Sequence, residues 1–327
     1  MSNVLGKSAL VLGGFLLVMA VFAKFYMYDR LAVAPMNNTT TSISQTMPGD
    51  DAEYLDIEAG LVIQNGPLKS TRIVKGDVDL SKEASEELDR DVAVWKTYSC
   101  TDTPDFSCAD GAIPLSGSYD IVAFDRHTGE TVEWDGNSRE SGGEITKPAD
   151  FEGLYFKFPF DTQKKTYQFW DGTLDRAEPA RYVGEGEVNG LKVYEFEQVI
   201  EPTLVGQLDV PGELVGSDEE TVRADRFYSN TRTFKVEPTT GVIIVGGEDQ
   251  DSYLELGTER VLTTTAATLQ YTEENTAATV DEYQGKARLL GIVDTWLPIL
   301  GTIFGVILIV VGFVLGRTKN EPAGQHA

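Results

Sequence analysis

The sequence predicts a mainly antiparallel β domain carried between an N-terminal and a C-terminal transmembrane helix. Three observations predict it: uncharged apolar runs at both ends, period-two alternation of apolar and charged residues between them, and glycine-bearing turns that punctuate the middle. The sheets are expected as two lobes or as a half-open barrel.

The first element is residues 1–28, uncharged from Ser8 to Ala23, with Lys7 before the run and Lys24 after it. Phe25, Tyr26 and Tyr28 then form the aromatic belt of a helix leaving a bilayer. Val21-Phe22-Ala23 would also serve as a signal-peptide cleavage site, so a retained helix and a removed leader both stand. The last element is clearer. Trp296–Leu315 is 20 residues without a charge. At about 1.5 Å per residue that crosses a hydrocarbon core of roughly 30 Å, giving a membrane helix over 289–316 and a tail over 317–327. Gly301/Gly305 and Gly312/Gly316 are Gly-x-x-x-Gly steps, and Gly13 and Gly14 lie in the first helix. Small residues at that spacing let backbones approach closely, so the last helix is expected to pack on the first, on a second copy or on another membrane protein.

Lys7, Arg317 and Lys319 place both termini in the cytoplasm by the positive-inside rule. The expected location is the inner (plasma) membrane, with 29–288 outside the cytoplasm as a periplasmic domain. The chain carries 52 Asp+Glu against 27 Lys+Arg, and all but two of the acids lie in 29–288, which stands at −27. Such a charge repels phosphate backbones, so no nucleic-acid partner is expected.

Between the helices, 29–58 reads as a polar tether around Pro35–Glu53. Residues 59–178 and 179–275 read as two β-rich lobes, and 276–288 as a stalk helix. A second helical stretch is Leu80–Val94. Hairpins are expected where Ser118–Arg126 and Glu130–Trp134 flank His127-Thr128-Gly129, where Arg181–Val188 and Leu191–Ile200 flank Asn189-Gly190, and where Thr233–Glu237 and Val242–Val245 flank Pro238–Gly241. The turns at Asp125–Gly129 and Glu237–Gly241 share an outline 112 residues apart. That outline suggests a duplicated unit with a boundary near Glu178–Pro179, against chance similarity of hairpins. Cys100 and Cys108, the only cysteines, have seven residues between them and suit a structural disulfide of an exported domain better than a redox pair.

Candidate chemistry is sparse. His127 reads as an exposed turn residue, and His326 lies near the chain's end. Metal sites built from several Cys and His ligands have no raw material, and no metal or cofactor is expected. Asp102/Asp105/Asp110 and Glu248/Asp249/Asp251 lack the spacing of a calcium loop and read as solvated acidic surface. The sequence has no nucleophile elbow, phosphate loop or dinucleotide fingerprint, so the expectation is a protein that is not an enzyme. The aromatic run is the one candidate site. Strand geometry puts Phe156, Phe158 and Phe160 on one face, and Tyr167 and Phe169 share a face of the next strand. With Tyr155 and Trp170 they form either a core or a wall that contacts a lipid acyl chain.

Tyr182–Phe196, the Val236–Gly241 turn and the two-helix frame with its Gly-rich last span resemble the PorA family of actinobacterial envelope proteins, which includes a polar growth factor of mycolate-bearing bacteria. The resemblance implies an inner-membrane protein whose periplasmic β domain binds or helps deliver envelope lipid, of trehalose mycolate or lipoglycan type, in cell-envelope biogenesis and polar growth beside an MmpL-type lipid exporter. It brings no catalytic residues. The alternatives are a scaffold that binds envelope proteins through its acidic face and, less favoured, a carboxylate-based hydrolase of envelope glycans.

Overall fold

The structure, a computed structural model, describes residues 2–56, 59–106, 108 and 113–317. It divides into a sheet unit, Ala34–Tyr283, and a helical unit drawn from the two ends of the chain. Among the described residues the α-helices are α1 (Ser2–Phe22), α2 (Tyr28–Leu31), α3 (Val78–Leu88), α4 (Glu273–Gly291) and α5 (Leu297–Arg317). Lys319 and His326 of the tail, and Asp110 of one acidic cluster, lie outside the described residues.

The sheet unit is one 14-stranded, curled half-barrel. Its first arm contains β1 (Thr39–Thr46), β4 (Lys69–Asp77), β5 (Val92–Asp102), β6 (Ser116–Asp125), β7 (Ser138–Ser141) and β8 (Glu144–Thr146). The second contains β9 (Tyr167–Asp171), β10 (Arg176–Val188), β11 (Leu191–Pro211), β12 (Thr221–Glu237), β13 (Val242–Leu256) and β14 (Glu259–Tyr271). The arms join where β1 pairs with β14, and β2 (Ala52–Asp56) and β3 (Val62–Gly66) extend β14 beside that join. Every named strand pair is antiparallel, as alternation with short turns requires.

Two of the expected hairpins form as read. Asn189 (φ 48°) and Gly190 (φ 83°) both take the left-handed conformation that a two-residue turn needs between β10 and β11. The Pro238–Gly241 turn joins β12 to β13. The third differs: Glu130 and Thr131 make only single bridges, to Leu154 and Phe124. The two similar turns owe their outline to shared local chemistry. The Asp125 carboxylate accepts from the His127 and Thr128 amides, and Glu237 accepts from those of Thr239 and Thr240. Each closes with a glycine amide on the acid's own carbonyl, Gly129 on Asp125 and Gly241 on Glu237. No lobe boundary accompanies them, because Glu178 and Pro179 lie inside β10 of one continuous sheet.

Two further expectations are corrected. The stretch read as a tether contains β1, whose mostly Thr and Ser residues pair with β4 on one side and, at Ser44–Thr46, with β14 on the other; polar composition hid its period of two. The helix read over Leu80–Val94 stops at Leu88. Asp77 caps its start by accepting from the Asp79 and Leu80 amides, and Asp89 (φ 48°) ends it in a left-handed turn. Val92-Ala-Val-Trp95 then favours strand.

Each face of the sheet has its own cover. On the outer face α3 packs Ala84 against Val92, Val94 and Ala123, and Val280 of α4 packs on Leu191, Val193 and Ile244. The inner face wraps an irregular segment, Phe151–Phe160. Its backbone is held from both arms: Thr131 N–H donates to Gly153 O, Leu154 N–H to Gln168 O, Trp170 N–H to Leu154 O and Phe158 N–H to Gly241 O, each at 2.8 Å. Cys100 and Cys108 are disulfide-bonded, with Cα atoms 6.1 Å apart. The Cys100→Ala/Cys108→Ala variant should lose about 2–3 kcal/mol of stability by urea unfolding, since the bridge closes a short loop in the unfolded chain.

Candidate functional site

The aromatic candidates do not form one wall. Phe158, Tyr167 and Phe169 join Phe196 and Phe234 in one cluster, with Phe158 stacked 4.5 Å from Phe196. Tyr155 and Trp170 join Phe151 and Val122 in a second. Phe156 turns to a third, 5.1 Å from Trp95 and 5.3 Å from Phe124. Phe160 is half-buried, its ring 3.9 Å from the Lys157 ammonium. The expected common face of Phe156, Phe158 and Phe160 is therefore not made. Leu154–Phe160 takes no strand geometry, because Leu154 is fixed by bridges to Glu130 and Phe169 and Phe158 by its bond to the Gly241 turn. Except for Phe160 and Phe156, these rings are buried against protein side chains.

Buried polar groups interrupt this aromatic packing, and sequence reasoning missed them. Asp171 lies 3.1 Å from the Arg232 guanidinium and accepts from the Tyr228 hydroxyl at 3.1 Å. Asn230 donates to Tyr228 and to Glu248, and Gln198 donates to the Phe169 and Glu178 carbonyls. Burial opposes charge on Arg232, but Asp171, Tyr228 and Glu248 outweigh it and hold its pKa above the ordinary value. Asp120 bonds Arg139 at 3.2 Å and accepts from the Tyr155 hydroxyl. Burial raises the Asp120 pKa, with Arg139 and Tyr155 opposing. Arg139 also donates to Gly172 O and pairs with Asp175, so it ties β7 to the β9–β10 turn. The signal available in the sequence was Gln198, Asn230 and Arg232 falling in phase with Phe196, Ile200 and Phe234.

Lys157 is buried between the two similar turns, donating to Phe158 O at 2.6 Å. Burial pushes its pKa down to about 7, and Glu237 opposes that shift. An unfolded lysine titrates near 10.4, so the burial penalty is complete below pH 7 and is relieved as pH rises toward 10.4. Lys157→Met should therefore be more stable than the parent at pH 6.5, by roughly 2–4 kcal/mol. That advantage should shrink between pH 7 and pH 9 in thermal unfolding.

Asp249 and Asp251 of the second acidic cluster, and His127, lie at or near the surface. Asp251 pairs with Arg260 while Glu248 turns inward to Arg232, and His127 lies half-exposed, 3.6 Å from Asp91. Among the described residues no group of three His, Cys, Asp or Glu is placed to hold a metal ion.

In the helical unit α1 and α5 run antiparallel, and both belong to candidate membrane spans, Val4–Leu31 and Glu273–Arg317. A Cβ on Gly13 would lie 2.7 Å from Gly305 O, one on Gly312 would lie 2.9 Å from Gly6 O, and one on Gly301 would meet Ala20 at 3.1 Å. The contact follows a seven-residue rhythm through Gly6, Gly13 and Ala20 against Gly312 and Gly305. Gly301, Gly305 and Gly312 thus lie against α1, whereas a Cβ on Gly316 or on Gly14 would meet nothing. Beyond this contact both helices take a π turn, Ala23–Met27 and Ile292–Trp296, and there Lys24 pairs with Asp294 at 2.7 Å. Gly13→Ile should force the helices apart and lower the temperature at which the helices of the full-length protein in detergent melt, read by circular dichroism.

With this geometry in hand, comparison with known proteins is decisive at one level. Residues 5–314 match the family described as Porin PorA. The chain belongs to the PorA family. A Porin PorA of Corynebacterium amycolatum is 25% identical over 396 aligned positions, covering 98% of this chain and 100% of the relative. A Porin PorA of Corynebacterium resistens is 27% identical over 257 positions, covering 58% of this chain and 61% of the relative. The PorA-family match takes in most of α1, the whole sheet and nearly all of α5.

Proposed function

We propose that this PorA-family chain is a membrane-anchored, non-catalytic accessory protein of the cell envelope, held in the inner membrane by α1 and α5 with its sheet domain outside the cytoplasm. The observation that carries this reading is the glycine-backed antiparallel pairing of α1 with α5. A leader destined for removal has no use for close backbone contact with the last helix, so the pairing supports a retained α1. Antiparallel helices bring Ser2 and Arg317 to one end of the pair, where Lys7 and Arg317 suit the cytoplasmic side. The Cys100–Cys108 bridge suits an oxidising compartment.

The finer reading is that the domain serves envelope lipids, of trehalose mycolate or lipoglycan type, in biogenesis and polar growth beside an MmpL-type exporter. Its support is the family resemblance. The packed aromatic clusters favour recognition of a lipid by its headgroup over entry of an acyl chain among Phe158, Tyr167 and Phe169. The same packing favours the second reading, a scaffold that binds envelope proteins through its acidic face. Neither reading needs a conducting pore. The inner face is filled with aromatic rings and outer-face residues that reach solvent, such as Glu195 and Lys235, are charged, opposite to the apolar exterior and wet lumen of a membrane-spanning barrel.

Both cysteines are bonded, so an added cysteine reports topology cleanly. In intact spheroplasts an impermeant maleimide should label Glu144→Cys on the exposed β8 and spare Asn3→Cys until the membrane is opened. The reverse pattern would overturn the proposed topology.

A further inference from the structure

On the inner face of β1, β4, β5 and β6, the side chains standing opposite one another are small hydroxyls around one arginine. Ser42, Arg72, Ser99 and Ser118 form one row across four strands, and Ser70 and Thr101 lie opposite each other in the next row. None of the six is buried, and none belongs to a hydrophobic cluster. Serine is not a favoured strand residue, so four serines here are not explained by strand stability. Their short side chains keep the floor low, and strand spacing repeats hydroxyls about every 5 Å across it.

Arg72 is held in place yet left with free donors. Its Nε donates to Thr97 Oγ1 at 3.2 Å, and its guanidinium lies over the Tyr155 and Phe156 rings at 5.1 and 5.7 Å. Among the described residues neither Nη has a hydrogen-bond partner, and no carboxylate is within ion-pair distance. Asp120, on the same face, feels the Arg72 charge but is engaged by Arg139 and Tyr155. Arg139 and Arg232, on the same face, each pair with a buried aspartate. A stacked guanidinium with two unused Nη groups is suited to bidentate binding of an oxyanion. The surrounding hydroxyls, each donor and acceptor, suit a ligand that is itself hydroxylated. The domain's overall −27 does not forbid an anion there, because salt screens exposed charges beyond about 8 Å.

We propose that this floor binds the phosphate-bearing, polyhydroxylated headgroup of an anionic membrane lipid, with Arg72 on the phosphate and Ser42, Ser99 and Ser118 on headgroup hydroxyls. The choice of a lipid over a free sugar phosphate rests on the envelope-anchored reading; the chemistry of the floor does not.

The test uses the full-length protein in detergent, offered phosphatidylinositol, phosphatidylcholine or soluble inositol 1-phosphate, with adducts read by native mass spectrometry and affinities by titration. Phosphatidylinositol should bind in preference to phosphatidylcholine. Arg72→Gln should weaken it about tenfold to a hundredfold, the range expected for lost charge-assisted hydrogen bonds. Ser99→Val/Ser118→Val, which keeps Arg72 and favours strand, should also weaken it. Equal binding of the two lipids, or unchanged affinity in an Arg72→Gln protein of parental melting temperature, would overturn the proposal. Binding of inositol 1-phosphate without phosphatidylinositol would overturn the lipid source. A site lost with Glu144→Cys labelled from outside leaves the envelope reading intact, whereas failed labelling removes that reading independently of Arg72.

Discussion

Satisfying the backbone of an irregular buried segment is the constraint on which the sheet unit depends. Phe151–Phe160 has no ladder of its own, so each of its buried amides and carbonyls needs a partner from elsewhere. Those partners come from both ends of the sheet: the stretch after β6 reaches Gly153, β9 takes both sides of Leu154, and the turn after β12 takes Phe158. The curl of the sheet is what brings these donors and acceptors to one segment. Arg139, tied to Asp120 and to the β9–β10 turn, repeats the join with side chains. A flat sheet with the same pairing would leave the aromatic clusters open and the segment's amides unpaired.

The same constraint explains how a strongly acidic domain tolerates charge inside. Buried ions cost several kcal/mol each unless they are paired and hydrogen-bonded. Asp120 meets that condition beside Arg139, its cross-strand neighbour on β7, and Asp171 of β9 does so by reaching Arg232 of β12 within the same arm. Lys157 is the exception, with a carbonyl, a ring and a distant carboxylate in place of an ion pair, and its lowered pKa records the cost. Removing either partner of a buried pair would leave the other as an uncompensated charge.

Much of the fold was legible in the sequence because its signals are local. Asn189-Gly190 can make a tight turn by itself, uncharged runs declare apolar helices without reference to the rest, and two cysteines admit one pairing. What was hidden depends on distant partners. β1 has a weak apolar face, and only β4 and β14 on either side make it a central strand. Phe156 and Phe158 alternate as a strand would, yet the contacts that pull them into separate clusters lie on β5, β6, β11 and β12. The inward polar residues were visible as in-phase interruptions, but their pairing needs register across strands far apart in sequence. The glycines show the same limit: a four-residue spacing drew attention to Gly316, while the seven-residue spacing of Gly6 and Gly13 is what the partner helix reads.

The pairing of β1 with β14, and of α1 with α5, also dictates an order of events during biosynthesis. A ribosome delivers α1 and β1 long before their neighbours exist, so Gly6 and Gly13 must wait uncovered while more than two hundred residues follow. The β10–β13 meander can assemble from nearest neighbours as it emerges, but closing the two arms into one sheet is a late and non-local step. A nascent chain halted before Tyr271 would expose the open edge of β1, the kind of unpaired strand that recruits chaperones or other chains.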